Sequence, residues 1–271
     1  MKYKLIALDL DGTLKNSQNK TTPKTIQTLI QAQELGIKIV LASGRPTPGL
    51  RYEAKELQLD KYDGYLLSFN GARVSSVKTN QTIYEQTLSS DDAKSIYEHA
   101  KKFDLTCLIY EGDCILSENV DDKYVKAETF INDMKLIKVD CLKDYMNKPL
   151  QKVLLTGKPE YVASILDQFK APYEDHLSIY RSAPFFIEVM AQGIDKAASI
   201  DRLAKSLGIK QEEVMAFGDG YNDLSMIEYA GCGVAMANAV DGVKERANMI
   251  TLSNNEDGIA YALQQKIKEI Q

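Results

Sequence analysis

Leu5-Ile6-Ala7-Leu8-Asp9-Leu10-Asp11-Gly12-Thr13 is the stretch that decides the fold. An apolar run over residues 4–8 that stops abruptly at an acid is the pattern of a parallel strand buried on both faces and emerging at its carboxyl end. Two carboxylates two residues apart, Asp9 and Asp11, point the same way on a regular strand, and Gly12 lets the chain turn sharply afterwards. Strand carboxyl ends are where open α/β sheets bind ligands. A lone Asp-Gly there would be an ordinary acidic turn; the other acids of the chain weigh against that reading.

Outward from this strand, the apolar positions 26, 29, 30 and 32 predict a helix over residues 23–35, stopped by Gly36 and followed by a second strand over 37–42. Strand, helix, strand is a βαβ unit. The same grammar returns late: a helix over 196–207 stopped by Gly208, a strand over 214–217, a helix from about Asn222, a strand over 233–236, a helix over 240–246 and a strand over 249–252. Both ends of the chain are therefore predicted to be doubly wound α/β with a parallel sheet. Residues 83–190 differ, interleaving helices with short strands in pairs. A helix marked by Ala93, Ile96, Tyr97, Ala100 and Phe103 precedes a strand pair over 105–110 and 114–117 and a helix over 121–130. A strand over 152–156, a helix over 160–169 and a hairpin turning at residues 182–184 follow. This predicts an α+β domain inserted into a core of residues 1–82 and 191–271, through crossings near 80 and 191.

With 33 Lys and Arg against 38 Asp and Glu, the net charge of −5 lacks the positive field that sequence-independent nucleic-acid or anionic-membrane binding uses. Cys107, Cys114, Cys141 and Cys232 include no CxxC pair, the usage of reduced structural thiols. No apolar run approaches the length of a signal or a membrane span, so a soluble, cytoplasmic chain is expected.

Gly218-Asp219-Gly220-Tyr221-Asn222-Asp223 follows the strand over 214–217 as the first acids follow theirs. If a helix begins there, Asp219, Asn222 and Asp223 project to one side. Four carboxylates at neighbouring strand ends repel, by roughly 4 kcal/mol per contacting pair at an effective dielectric near 20. A divalent cation offsets this, and all-oxygen ligation suits Mg²⁺ rather than zinc. With His99 and His176 the only histidines, an imidazole-based centre is hard to build. Ser43-Gly44, closing the strand over 37–42, offers a hydroxyl and an open amide for phosphate oxygens, although a Ser-Gly turn is usually structural. Lys196, after Gly193-Ile194-Asp195, gains meaning only from this company.

Together these segments resemble the four motifs of the haloacid dehalogenase superfamily, in order and each on the expected element, and the chain resembles its Cof-type sugar phosphatases. The insert is similar to that family's type 2 (C2B-like) cap, Phe69-Asn70-Gly71-Ala72 resembles a recurrent segment, and Ala197 stands where relatives often carry Gly. The resemblance implies a Rossmann-like core and Mg²⁺-dependent hydrolysis of small phosphate monoesters of phosphorylated metabolites. It assigns Asp9 as the nucleophile that becomes an aspartyl-phosphate, and Asp11 as the general acid/base. It gives Mg²⁺ to the Asp9 carboxylate, the Asp11 carbonyl and Asp219, with Asp223 orienting its waters. The phosphate falls to Ser43, Lys196, Thr13, Asn222 and the Leu10 and Gly44 backbone. A phosphomutase of the same superfamily and a phosphate-ligand sensor without turnover remain alternatives. Tyr110, Glu111 and Arg181 are polar residues of the insert that could face the core, solvation being the plainer reading.

Overall fold

The computed structural model describes residues 2–268. The chain divides into two compact units, one running to Tyr84 and resuming at Asp195, the other spanning Glu85–Ile194.

In the first unit the chain runs β1 (Leu5–Leu8), α1 (Pro23–Glu34), β2 (Lys38–Ala42), α2 (Arg51–Glu56), β3 (Tyr65–Ser68), β4 (Arg73–Ser76) and β5 (Thr82–Glu85). The second unit carries α3 (Ser90–Lys102), β6 (Thr106–Glu111), β7 (Cys114–Ser117), α4 (Lys123–Ile131), β8 (Lys135–Lys138), β9 (Val153–Thr156), α5 (Pro159–Lys170), β10 (Leu177–Ala183) and β11 (Phe186–Ala191). The first unit then resumes with α6 (Lys196–Ser206), β12 (Val214–Gly218), α7 (Leu224–Tyr229), β13 (Cys232–Ala235), α8 (Asp241–Arg246), β14 (Met249–Ile250) and α9 (Gly258–Lys268).

The core sheet has the order β14-β13-β12-β1-β2-β3-β4-β5, parallel from β14 to β3 and antiparallel between β3 and β4. Along β1, Leu5 and Ala7 enter one apolar layer and Ile6 and Leu8 the other, so the strand is apolar at every position because both faces are covered. One layer is closed by Leu29 and Ala32 of α1 with Ile259 and Leu263 of α9. The other is closed by Ile200 and Leu203 of α6 with Met226 and Ile227 of α7. Successive strands run outward in opposite directions from β1, so the order reverses between β1 and β12, where such sheets open a crevice. The register places Leu8 beside both Phe217 and Leu41. Asp9, Asp219 and Ser43 therefore leave the sheet as neighbours.

The second unit is a six-stranded sheet ordered β10-β11-β9-β6-β7-β8, antiparallel except for β7 with β8. Ile96 and Ala100 of α3 and Ile165 and Phe169 of α5 cover one face, against Ile109, Leu155, Ile187 and Val189. The division falls at 84/85 and 194/195, two and four residues beyond the expected boundaries at 82/83 and 190/191, the second because β11 pairs with β10 out to Ala191. The four cysteines are free, and no helix of the described residues is long and apolar enough to cross a membrane.

Candidate active site

Asp9 is the first residue beyond β1, and its amide still donates to the Phe217 carbonyl at 3.0 Å, which fixes it against β12. The chain then folds back on itself: Leu14 and Lys15 donate to the carbonyls of Asp9 and Leu10. Gly12 makes this possible. Its φ is +90°, and a Cβ there would lie 2.3 Å from Asp219 Oδ2, so only glycine lets the loop pass this close to the acid after β12. Thr13, fully buried, donates its hydroxyl to Asp219 Oδ1 at 2.8 Å, and Asn238 donates to the Gly12 carbonyl at 2.8 Å.

Lys196 opens α6, whose start is capped by the Asp195 carboxylate accepting from the Ala198 amide. The ammonium is fully buried and donates to Asp9 Oδ1 at 2.7 Å and to Asp223 Oδ1 at 2.6 Å. The second oxygen of Asp223 accepts from the amides of Asp219 and Gly220, both at 3.0 Å. Burial, with the charge of Asp223 beside it, pushes the Asp9 carboxyl well above the usual carboxylate range, although Lys196 pulls it down. Burial likewise raises Asp219 to about 6, with Asp223 adding to it and the Thr13 bond opposing. Burial works against the charged form of Lys196, but Asp223 and Asp9 outweigh it and hold the lysine firmly protonated.

The regular-strand expectation for Asp9 and Asp11 does not survive. β1 ends at Leu8, before either aspartate, so the two do not stand on a regular strand. Asp9 is buried, whereas the Asp11 side chain is half exposed and grips Arg45 in a two-pronged pair: Nε to Oδ2 at 2.7 Å and Nη2 to Oδ1 at 2.5 Å. Three carboxylates gather, not four: oxygens of Asp9, Asp219 and Asp223 lie within 4.8 Å of one another. The helix expected from Asn222 begins as a single tight turn over Tyr221–Asp223 and becomes α7 only at Leu224. Asn222 offers its amide to Asn70 Oδ1 at 3.4 Å.

Ser43 is buried at the end of β2, its amide donating to Leu67 and its hydroxyl accepting from the Arg45 amide. Gly44 lies beside the Asn70 side chain, which a Cβ at 44 would meet at 3.2 Å. Leu10 is fully buried, so only its backbone can serve a ligand. In the second unit Tyr110 is buried and donates to Glu128 at 2.7 Å, Glu111 pairs with Lys148, and Arg181 is exposed.

Three hard carboxylate donors, two of them with pKa values raised first by burial and then by their acidic neighbours, fit Mg²⁺ better than a thiolate- or imidazole-seeking metal. The sequence reading passed over Arg45, Asn238 and the buried Lys15–Glu53 pair at 2.7 Å. Arg45 had a signal, a guanidinium beside the Ser-Gly turn; the others join segments too distant in sequence to be matched by spacing.

Known proteins resemble the chain over nearly its whole length. Residues 6–263 match the haloacid dehalogenase-like hydrolase family. The Bacillus subtilis protein named "Putative phosphatase YxeH" is 37% identical over 269 residues, covering 98% of either chain. The B. subtilis 5-amino-6-(5-phospho-D-ribitylamino)uracil phosphatase YitU is 30% identical over 272 residues, covering 96% of each. The crystal structure of a haloacid dehalogenase-like hydrolase from Bacteroides thetaiotaomicron superposes with a TM-score of 0.94 at 42% identity, covering 98% of this chain and all of that one.

Proposed function

The chain belongs to the haloacid dehalogenase-like hydrolases and is a phosphatase of that family, and from this premise we propose that it hydrolyses small phosphate monoesters, sugar phosphates foremost, with Mg²⁺ and through a phosphoryl group carried on Asp9. The observation that carries the reading is the buried lysine between two carboxylates: Lys196 at 2.7 Å from Asp9 and 2.6 Å from Asp223, at the strand ends where the Ser43 turn also emerges.

An Asp9 oxygen attacks phosphorus while the bond from phosphorus to the ester oxygen breaks, and Asp11 delivers a proton to the departing alkoxide. Water then attacks the same phosphorus, Asp11 takes its proton, and the bond to Asp9 breaks, returning the carboxylate and releasing inorganic phosphate. Lys196 holds Asp9 in place and offsets charge on the phosphoryl oxygens, which Ser43, the Leu10 and Gly44 amides and Asn222 receive. Asp9, Asp219 and the Asp11 carbonyl would hold Mg²⁺, with Asp223 orienting its waters. When bound, the ion would draw charge from the phosphoryl oxygens and make a weak nucleophile sufficient.

These groups all lie in the first unit and treat any monoester alike, so selection of the leaving group falls to the second unit, Glu85–Ile194. The phospho-ribityl compound in the name of the YitU relative supports a phosphate carried on a polyol or sugar carbon. The test is phosphate release from a panel of sugar phosphates, nucleotides, pyridoxal phosphate and flavin mononucleotide, with added Mg²⁺ and with chelator. Magnesium-dependent release with highest kcat/KM on a sugar or polyol phosphate is expected. Undiminished turnover in chelator would overturn the metal reading, and no release from any monoester would overturn the function.

A further inference from the structure

Between β3 and β4 the chain does something bulky residues avoid. Phe69, Asn70 and Gly71 have φ of 52°, 53° and 105°, three left-handed residues in succession, the first of them a buried phenylalanine. Such a turn persists only where its surroundings over-determine it, and such turns cluster at functional sites.

The surroundings are all segments given above to phosphate handling. The Phe69 amide donates to the Arg45 carbonyl and the Asn70 amide to the Ser43 carbonyl, both at 2.9 Å, so the turn fixes the Ser43-Gly44 loop from behind. The Asn70 side chain packs where a Cβ on Gly44 would stand, and its Oδ1 faces Asn222 Nδ2 at 3.4 Å. The Gly71 carbonyl accepts from the Ser199 hydroxyl of α6 at 2.7 Å, and a Cβ on Gly71 would lie 2.7 Å from the Asp195 carbonyl, one residue before Lys196. One short turn with no charge of its own thus touches the loop after β2, the turn after β12 and the start of α6.

We propose that Asn70 is a positioning residue of the phosphate clamp, its amide setting the Ser43 loop and its side chain setting Asn222 and Gly44 against it. The proposal rests on the phosphatase reading. Asparagine suits the task because it tolerates the left-handed conformation while carrying an acceptor, which glycine lacks.

Asn70→Gly removes the side chain and keeps both the conformation and the amide bond to Ser43, so it separates the clamp from the fold. The readout is competitive inhibition by inorganic phosphate, which has no leaving group, alongside kcat and KM for p-nitrophenyl phosphate and the melting temperature. The expected result is an inhibition constant for phosphate raised about tenfold, the size of one lost hydrogen bond, with KM rising in step. The melting temperature should be little changed. Combined with Asn222→Ala, the loss should be less than additive. An unchanged phosphate inhibition constant, with or without a lower melting temperature, would overturn the proposal and leave the turn a purely structural one. Should Asn70→Gly not fold, Asn70→Asp keeps the acceptor and the turn but places a negative charge at the clamp; it should weaken phosphate inhibition, and parental inhibition there would equally overturn the proposal. Failure of the phosphatase reading shows separately, as a parent protein that releases no phosphate.

Discussion

Lys196 is the residue on which the electrostatics of the site turn. Removing one partner from a buried, hydrogen-bonded ion group leaves the other charges uncompensated, at a cost of about 3–5 kcal/mol. Lys196→Met, which keeps most of the volume, should therefore lower the melting temperature of metal-free protein and abolish turnover; a parental kcat would show that the lysine is not part of the phosphoryl clamp. Asp219 and Asp9 give a pH dependence with a definite sign. Their folded pKa values lie above the unfolded value near 3.9. The metal-free folded state therefore holds protons the unfolded state has lost, and its stability falls as pH rises from about 4 through about 6. Since Mg²⁺ binds the ionised carboxylates, it should raise the melting temperature strongly near pH 8 and weakly near pH 5. Equal shifts at both pH values would contradict the assignment of these acids to the metal. Asp11→Asn should slow alkyl phosphates by roughly 10²–10⁴-fold and p-nitrophenyl phosphate much less, because a good leaving group needs no proton; equal losses on both would remove Asp11 from its acid role.

The elements that matter are the three turns following β1, β2 and β12, brought level by the register of Leu8 with Phe217 and Leu41. Gly12→Ala tests that close approach: its Cβ must displace the Asp219 carboxylate and endure a φ of +90°. The Mg²⁺ concentration for half-maximal activity should rise at least about tenfold, the equivalent of ~1.4 kcal/mol, and an unchanged Mg²⁺ requirement would mean that Asp219 does not hold the ion. β1, β2, β12 and β13 were legible in the sequence because strands buried on both faces are apolar without interruption, and the first three end abruptly at Asp9, Ser43 and Asp219. β8, with Lys135 and Lys138 at an exposed sheet edge, has no such run and was not legible. β3 and β4 were missed although their interiors are buried: β3 runs on into Phe69 without an abrupt polar stop, and β4, Arg73–Ser76, carries Val74 as its one apolar residue. At the site, residue types and order were readable, but directions were not. Asp11 pairs with Arg45 and Asn222 with Asn70, partners that spacing does not reveal because irregular turns, not a strand or a helix, carry both residues.

At the scale of the molecule there are two units, the second with its own apolar core under α3 and α5; in the proposed function the first holds the groups that touch phosphorus and the second discriminates leaving groups. Replacing residues 85–194 by a short Gly/Ser linker should flatten preferences among phosphomonoesters, with the largest loss for the best substrate, whose remote contacts contribute most to its transition state. A folded deletion variant with parental selectivity would place specificity in the first unit. The claim beneath all of this is that Asp9 carries the phosphoryl group. It is tested most directly by mixing excess enzyme with its best substrate, quenching in acid on the millisecond scale, and locating added phosphoryl mass by peptide mass spectrometry. An adduct on Asp9 that forms and decays fast enough to lie on the path, and is absent in Asp9→Asn, is the expected result; turnover with no adduct at any time, or an adduct on another residue, would contradict it.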